Sequence, residues 1–258
     1  GGLNWIQQST NITNVLISIE FFSYTDRNNN IVKIELITGE NGLILKSTDD
    51  GSSWRLIQSG TTENLNDIVA CSRDMFFICG NNGTLLSSID LGETWQPIDL
   101  KSTIDLNNLA TLGQSTMVKT INTVAVGDNG TIFATINMVE WFQATVPTND
   151  NILSIASVDN ILVCGTNTGT ILRSIDRGYN WTAASSGITA NIFDLVFLNA
   201  STVMGSSENG IMIRSTNSGY NWLTITTPST DDLLAVNFGS ETFGISTSGP
   251  GFELYTTN

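Results

Sequence analysis

The chain has 258 residues, 40 % of them hydrophobic, and carries 10 Lys plus Arg against 24 Asp plus Glu, a formal charge of −14 with no histidine. That length and apolar share can fill a sizeable core, while the negative charge excludes phosphate backbones and anionic lipid surfaces as partners. No stretch approaches the roughly 20 apolar residues of a membrane-spanning helix, so neither nucleic acid binding nor direct membrane insertion is expected.

No basic-then-apolar signal region is found at the N-terminus, so an export signal, if the protein has one, is expected to have been removed or to lie elsewhere. Polarity comes mainly from Asn, Ser and Thr, a composition that we associate with exported, extracellular, cell-surface or virion-borne β-proteins. Five Asn-X-Ser/Thr acceptors lend weak support to export. The cysteines Cys71, Cys79 and Cys164 form no CxxC pair and have no histidine to complete a zinc site; no metal and no cofactor are expected. They read as small buried core residues, with a Cys71–Cys79 bridge across one hairpin as the alternative.

In chain order, the run Leu3 to Gln8 comes first and holds Trp5. A first unit follows, with an insertion at Thr25-Asp26-Arg27-Asn28-Asn29-Asn30, a turn Gly39-Glu40-Asn41-Gly42 and the motif Ser47-Thr48-Asp49-Asp50-Gly51-Ser52-Ser53-Trp54. The second unit shows the pattern most plainly. Its β runs are Asp67 to Cys71, Met75 to Cys79, Thr84 to Ser88 and Trp95 to Ile98. The turn Gly80-Asn81-Asn82-Gly83 joins the second run to the third, and Ser88-Ile89-Asp90-Leu91-Gly92-Glu93-Thr94-Trp95 joins the third to the fourth. A third unit is extended around Gln114 to Asn122, turns at Gly127-Asp128-Asn129-Gly130 and has a shortened motif from Thr135 through Asn137 to Trp141. The fourth turns at Gly165 to Gly169 and carries Asp176, Gly178 and Trp181; the fifth turns at Ser207-Glu208-Asn209-Gly210 and carries Asn217, Gly219 and Trp222. After Asp232 come only three β runs, Leu233 to Val236, Thr242 to Ile245 and Phe252 to Tyr255.

Tryptophans 5, 54, 95, 141, 181 and 222 therefore mark six units, and periods near 40 to 50 residues rich in Ile, Val, Phe and Thr indicate a propeller of β meanders. Asn-Gly is the preferred pair where both turn residues need positive φ. Radial closure protects sheet edges that a linear stack would leave bare. The sixth motif is split: Asn258 ends the chain, and Gly2 and Trp5 supply its remainder. We therefore expect one domain, residues 1–258: an all-β, six-bladed β-propeller of four-stranded antiparallel blades, the N-terminal strand completing the last blade.

The pattern S/T-x-D/N-x-G-x-T/S/N-W resembles the Asp-box, or bacterial neuraminidase repeat, and the combination with the Gly-x-Asn-Gly turn is similar to the photosystem II stability and assembly factor-like family. The resemblance covers the whole chain. It implies a structural motif in which Asp or Asn accepts N–H bonds within its own turn, Gly takes a conformation that other residues avoid and Trp packs between blades. The family's assembly role leans on a basic patch that this acidic chain does not provide. Asp-boxes also occur in sialidases, which need three converging arginines and a Tyr nucleophile. The six arginines are Arg27, Arg55, Arg73, Arg173, Arg177 and Arg214; several of them sit in or beside Asp-boxes, and only Tyr24 and Tyr255 remain as nucleophiles. No catalytic residue is assigned.

The leading reading is thus a non-enzymatic scaffold or adhesion propeller outside the cell or on a virion, contacting a protein partner or a glycan, within a larger assembly. A sialidase-like glycan hydrolase and a photosystem-assembly-type chaperone are the alternatives. Its binding face is expected at the turns between second and third strands and between units, where Glu40, Asp128, Asp150, Glu208, Asp231 and Asp232 gather.

Overall fold

The computed structural model describes residues 12–112, 123–248 and 253–256. Among these the chain is all-β, its one helical element a 3-10 turn at Glu40–Gly42. Six antiparallel meanders make up a six-bladed β-propeller fold. The first sheet comprises β1 (Leu16–Thr25), β2 (Ile31–Gly39), β3 (Leu43–Ser47) and β4 (Arg55–Gln58); the second β5 (Leu65–Ala70), β6 (Phe76–Gly80), β7 (Leu85–Ser88) and β8 (Gln96–Pro97). The third is β9 (Leu106–Thr111), β10 (Thr123–Gly127), β11 (Thr131–Thr135) and β12 (Trp141–Gln143). The fourth is β13 (Ile152–Val158), β14 (Ile161–Thr166), β15 (Thr170–Ser174) and β16 (Thr182–Ser185), and the fifth β17 (Ile192–Phe197), β18 (Val203–Ser207), β19 (Ile211–Ser215) and β20 (Leu223–Thr226). The sixth has three described strands, β21 (Leu233–Ser240), β22 (Phe243–Ser248) and β23 (Glu253–Thr256). The expected closing strand at residues 3–8, the split-box residues Gly2, Trp5 and Asn258, and the extension at 114–122 lie outside the described residues.

By contact the chain divides into two compact units, residues 1–105 and 106–258. In the first, Ile34, Leu36 and Ile44 of the first sheet meet Ile68, Phe76 and Ile78 of the second, and the Phe22 ring stands edge-on to Phe76 at 5.7 Å. In the second, one cluster joins the third and fourth sheets and another the fourth and fifth. Because middle strands are sandwiched on both faces, every residue of β6, β10 and β11 is buried, and these strands read as near-continuous apolar runs with buried threonines at their ends (Thr123, Thr131 and Thr135) rather than as alternating ones.

In the first, second, third and fifth sheets the second-to-third-strand turn is tied to the linker that follows the sheet. Gly42 N–H donates to the Glu63 carbonyl at 2.8 Å, Gly130 to Asp150 at 2.8 Å and Gly210 to Asp231 at 2.7 Å. The preceding asparagine donates its own N–H to an Asx side chain in the linker: Asn41 to Asn64 (3.1 Å), Asn82 to Asp105 (2.7 Å), Asn129 to Asn151 (3.0 Å) and Asn209 to Asp232 (3.1 Å). Both central residues are left-handed, Asn82 at φ 53° and Gly83 at φ 68°, as an Asn-Gly pair permits. Gly83 has a second reason to be glycine, since a Cβ there would fall on the Ser102 carbonyl oxygen. Gly83→Ala should therefore lower unfolding free energy by about 1–3 kcal/mol, measured by urea denaturation; an unchanged midpoint would show that the linker yields freely.

Candidate functional site

The Asp-box turns are built by one hydrogen-bond scheme. Ser88 closes β7 and is 2 % exposed; its hydroxyl donates to Asp90 Oδ1 (2.8 Å) and accepts the Gly92 N–H (2.9 Å). Asp90 accepts the Thr94 N–H at 2.9 Å through Oδ1 and the Thr94 hydroxyl at 2.6 Å through Oδ2. The same bonds recur around Ser47, Asp49 and Ser53, and around Ser174, Asp176 and Asn180. Asn217 does the corresponding work with Ser215 and Asn221. In the shortened box, Asn137 accepts from Val139 and Glu140 instead. The Ser53 hydroxyl and N–H hold the Asp49 carboxyl below the usual range. At Asp90 and Asp176 burial works against the charge, but bonds from Thr94 and Asn180 outweigh it and both carboxyls are lowered. The left-handed Gly51, Gly92, Gly178 and Gly219 precede their tryptophans by three residues, and Trp181 and Trp222 donate Nε1–H to the Gly178 and Gly219 carbonyls at 2.9 and 3.0 Å.

Cations on third strands fasten some of these turns to the preceding sheet. Lys46, 3 % exposed, donates to the Leu91 carbonyl (2.6 Å) and to Glu93 (2.7 Å), and Arg55 reaches the same carboxylate at 2.5 Å. Arg173 Nε donates to the Ser218 carbonyl at 2.7 Å. The arginines in and beside Asp-boxes therefore serve, where their bonds are described, as clasps or surface contacts: Arg177 Nε bonds Asn160 Oδ1 at 2.6 Å.

The acidic residues expected to bind a partner fall on the turn-and-linker edge. Within the second unit, Asp128 and Asp150 are brought together by the Gly130 bond, and Glu208 with Asp231 and Asp232 by the Gly210 and Asn209 bonds. Glu40 lies in the first unit, its Oε2 3.5 Å from the Val15 N–H. Several have internal partners: Asp128 accepts from the Asn107 amide at 2.9 Å and Asp150 from the Thr168 hydroxyl at 2.6 Å, which holds the Asp150 carboxyl low. Asp231 and Asp232 are exposed.

Sequence reading missed a polar girdle on the first strands. Each sheet has a register shift near the start of its first strand, and the residue just past it is Ser18, Asp67, Asn108, Ser154, Asp194 or Ala235. A bulge re-aims a side chain, and here it aims them at the next sheet's first strand. Ser18 donates to Asp67 at 2.7 Å, Asn108 accepts the Ile155 N–H at 3.0 Å, Ser154 donates to the Ile192 carbonyl at 3.0 Å and Asp194 accepts the Val236 N–H at 2.9 Å. The signal was present as a repeated apolar-x-(Asp/Asn/Ser)-apolar start, as in Leu65 to Ile68 and Ile192 to Leu195. Beside it Glu20 accepts the Ala70 N–H at 3.0 Å. Burial, only partly offset by that bond and reinforced by the Asp67 charge, pushes the Glu20 carboxyl up to about 7.

The Cys71–Cys79 alternative does not form: Cys71, Cys79 and Cys164 are buried thiols with no disulfide among them. Their Cα register explains this, since Cys79 faces Asp67 and Leu85 across its neighbouring strands. Burial raises the Cys79 and Cys164 thiols well above their ordinary range. Among the described residues no cluster of His, Cys, Asp and Glu fits a metal ion.

Repeated Asp-box turns on four-stranded antiparallel blades define an Asp-box β-propeller. Residues 2–155 match the family model described as photosynthesis system II assembly factor YCF48, more than half of the chain, and the protein belongs to that family. Its fold is similar to the solved structure of YCF48 from Cyanidioschyzon merolae (14 % identity, TM-score 0.58, 94 % of this chain and 95 % of that one). It is also similar to YCF48 bound to D1 peptide (16 % identity, TM-score 0.50, 98 % and 94 %). No curated protein matches it. Membership overturns the expected extracellular, cell-surface or virion location, because the family is described by assembly of a photosynthetic complex, work done inside the photosynthetic cell. That description is of an assembly role, not of a catalysed reaction.

Two outcomes follow from these charges. Asp90→Ala should cost about 1–2 kcal/mol in urea unfolding at pH 7, as a lost cap with two donors does, and the difference from wild type should shrink in acid, because the lowered carboxyl stabilises above its unfolded value and loses that effect as pH falls. Glu20 has the opposite sign: its raised carboxyl favours folding while protonated, so its contribution is largest below about 4.5 and declines as pH rises toward about 7. Glu20→Gln should flatten that part of the stability–pH curve and raise the melting temperature at pH 8; an unaltered slope between pH 5 and 8 would count against the assignment.

Proposed function

We propose that the protein is a peptide-holding assembly factor, which binds a segment of a protein partner while that partner is built into a larger membrane complex. The observation that carries this reading is membership of the YCF48 family; a D1 peptide bound to a structurally similar YCF48 lends it further support. It replaces the scaffold reading and takes up what sequence analysis held as an alternative.

The surface we assign to the partner is the turn-and-linker edge of the second compact unit, carrying Asp128, Asp150, Glu208, Asp231 and Asp232. Asp231 and Asp232 are exposed and Asp128, Asp150 and Glu208 half-buried; on a chain of charge −14 such carboxylates steer a segment bearing Lys or Arg, and rim charges act mainly on association rate and salt dependence. Asp128, Asp150 and Asp232 spend part of their acceptor capacity within the protein, which leaves Glu208 and Asp231 as the more available partners.

Isothermal titration of the full chain with peptides covering D1, each beside a scrambled copy, tests the function. Binding of a D1 segment over its scramble is expected; equal or absent binding of every segment would overturn it. The combined variant Glu208→Gln, Asp231→Asn should weaken binding roughly 3- to 10-fold at low salt, the size of one or two exposed ion pairs, and should reduce the salt slope. Unchanged affinity with binding retained would move the site elsewhere while leaving the function standing.

A further inference from the structure

The chain contains five bonds in which Asn or Asp is followed by Gly: Asn41-Gly42, Asp50-Gly51, Asn82-Gly83, Asn129-Gly130 and Asn209-Gly210. At such a step the backbone nitrogen can attack the preceding side chain with least hindrance, because glycine has no Cβ to shield it. Asparagine is thermolabile through this chemistry. Attack requires the glycine N–H to give up its proton, so an N–H held by an acceptor is protected.

Four of the five are held. Gly42, Gly130 and Gly210 donate to the Glu63, Asp150 and Asp231 carbonyls at 2.8, 2.8 and 2.7 Å, and Gly51 donates to the Ser47 hydroxyl at 3.0 Å. In the second sheet the carbonyl at the equivalent place is that of Ile104, which precedes Asp105 as Glu63 precedes Asn64. Among the described residues Gly83 N–H bonds neither to it nor to any other acceptor. The turn is otherwise like the rest: Asn82 is left-handed and donates its own N–H to Asp105 at 2.7 Å. Its side chain is exposed, with Nδ2 3.5 Å from Glu63 Oε1. Asn82 and Gly83 also line a cleft of about 360 Å³ with Ser59, Thr61, Asp99 and Ser102, wide enough to admit water.

We propose that Asn82 is a site of spontaneous covalent modification, the first of the four Asn-Gly turns to convert in the folded protein. Hydroxide removes the Gly83 amide proton, the nitrogen bonds to Asn82 Cγ, and the Cγ–Nδ2 bond breaks with release of ammonia, leaving a cyclic imide. Water then opens the ring. Addition at Cγ gives aspartate; addition at the main-chain carbonyl carbon gives isoaspartate, whose chain runs on through Cγ. Either product sets a new carboxylate beside Glu63 and Asp105, where like charges repel. Isoaspartate also lengthens the main chain by one carbon, so the left-handed turn and its bond to the linker are lost.

The test keeps the full chain folded in mildly alkaline buffer made with heavy-oxygen water, then digests samples taken over time in ordinary water and reads each Asn-Gly peptide by mass. Asn82 is expected to take up label roughly 3- to 10-fold faster than Asn41, Asn129 or Asn209, the protection that one hydrogen bond of ordinary strength gives. In urea that opens every turn the four rates should converge. Asn82 converting no faster than the others in the folded chain, or keeping the same lead when unfolded, would overturn the proposal. The converted fraction, separated by its extra negative charge, should unfold at a lower urea concentration than the parent; an equal midpoint would overturn the broken turn.

Discussion

Burial of the middle strands on both faces is the constraint on which everything else depends. In a sheet such as β5 to β8 the middle strands have no face to spare for solvent: Phe76–Gly80 is buried throughout, and Leu85–Ser88 is buried except at the half-buried Ser87. Removing apolar surface from water at about 25 cal/mol per Å² makes such a sheet stable only against neighbours. Flat-to-flat packing of twisted sheets leaves gaps at the ends, however, and there the fold places its specific chemistry: an indole at one end of the sandwich, a polar side chain past a bulge along the first strand, and an Asn-Gly turn locked to the linker.

These devices share a logic of satisfying backbone groups that a tight turn would otherwise strand. In the box, one Ser hydroxyl and one Asp carboxylate between them take up the Gly92 and Thr94 N–H groups; in the hairpin, an Asx side chain from the next linker takes up the Asn82 N–H. The second device reaches beyond its own sheet and the first does not. The Asp-box is locally self-sufficient, so it tolerates Asn for Asp and even the loss of its glycine at Asn137, whereas the hairpin needs its linker to end in the right side chain, Asn64, Asp105, Asn151 or Asp232.

That difference explains what was legible. Self-contained turns with a fixed spacing can be read one copy at a time, so the blade number, the antiparallel meander and the residues of the five described boxes follow from the chain, and the observed strand limits differ from the expected ones by only one or two residues in the second sheet. The first-strand girdle was missed because its meaning lies between sheets: Asp194 is unremarkable until Val236, far along the chain, donates to it. The acidic turn residues were read as a face free for ligands, although Asp128, Asp150 and Asp232 turn out to have partners inside the protein, again through bonds with no local signature.

The mistaken location has the same origin. An abundance of Asn, Ser and Thr looks like the composition of a surface adapted to the outside of a cell, but much of it is consumed by the turns themselves. Ser88, Ser174 and Ser215 are no more than 2 % exposed, each engaged with its box, and Asn41, Asn82, Asn129 and Asn209 sit in left-handed turn positions that few other side chains tolerate. A fold built from repeated copies of two polar turns enriches the chain in these residues wherever it works. Composition therefore reports the turn chemistry of a repeat before it reports a compartment, and the photosynthetic family to which this chain belongs is compatible with the same Asn- and Ser-rich sequence.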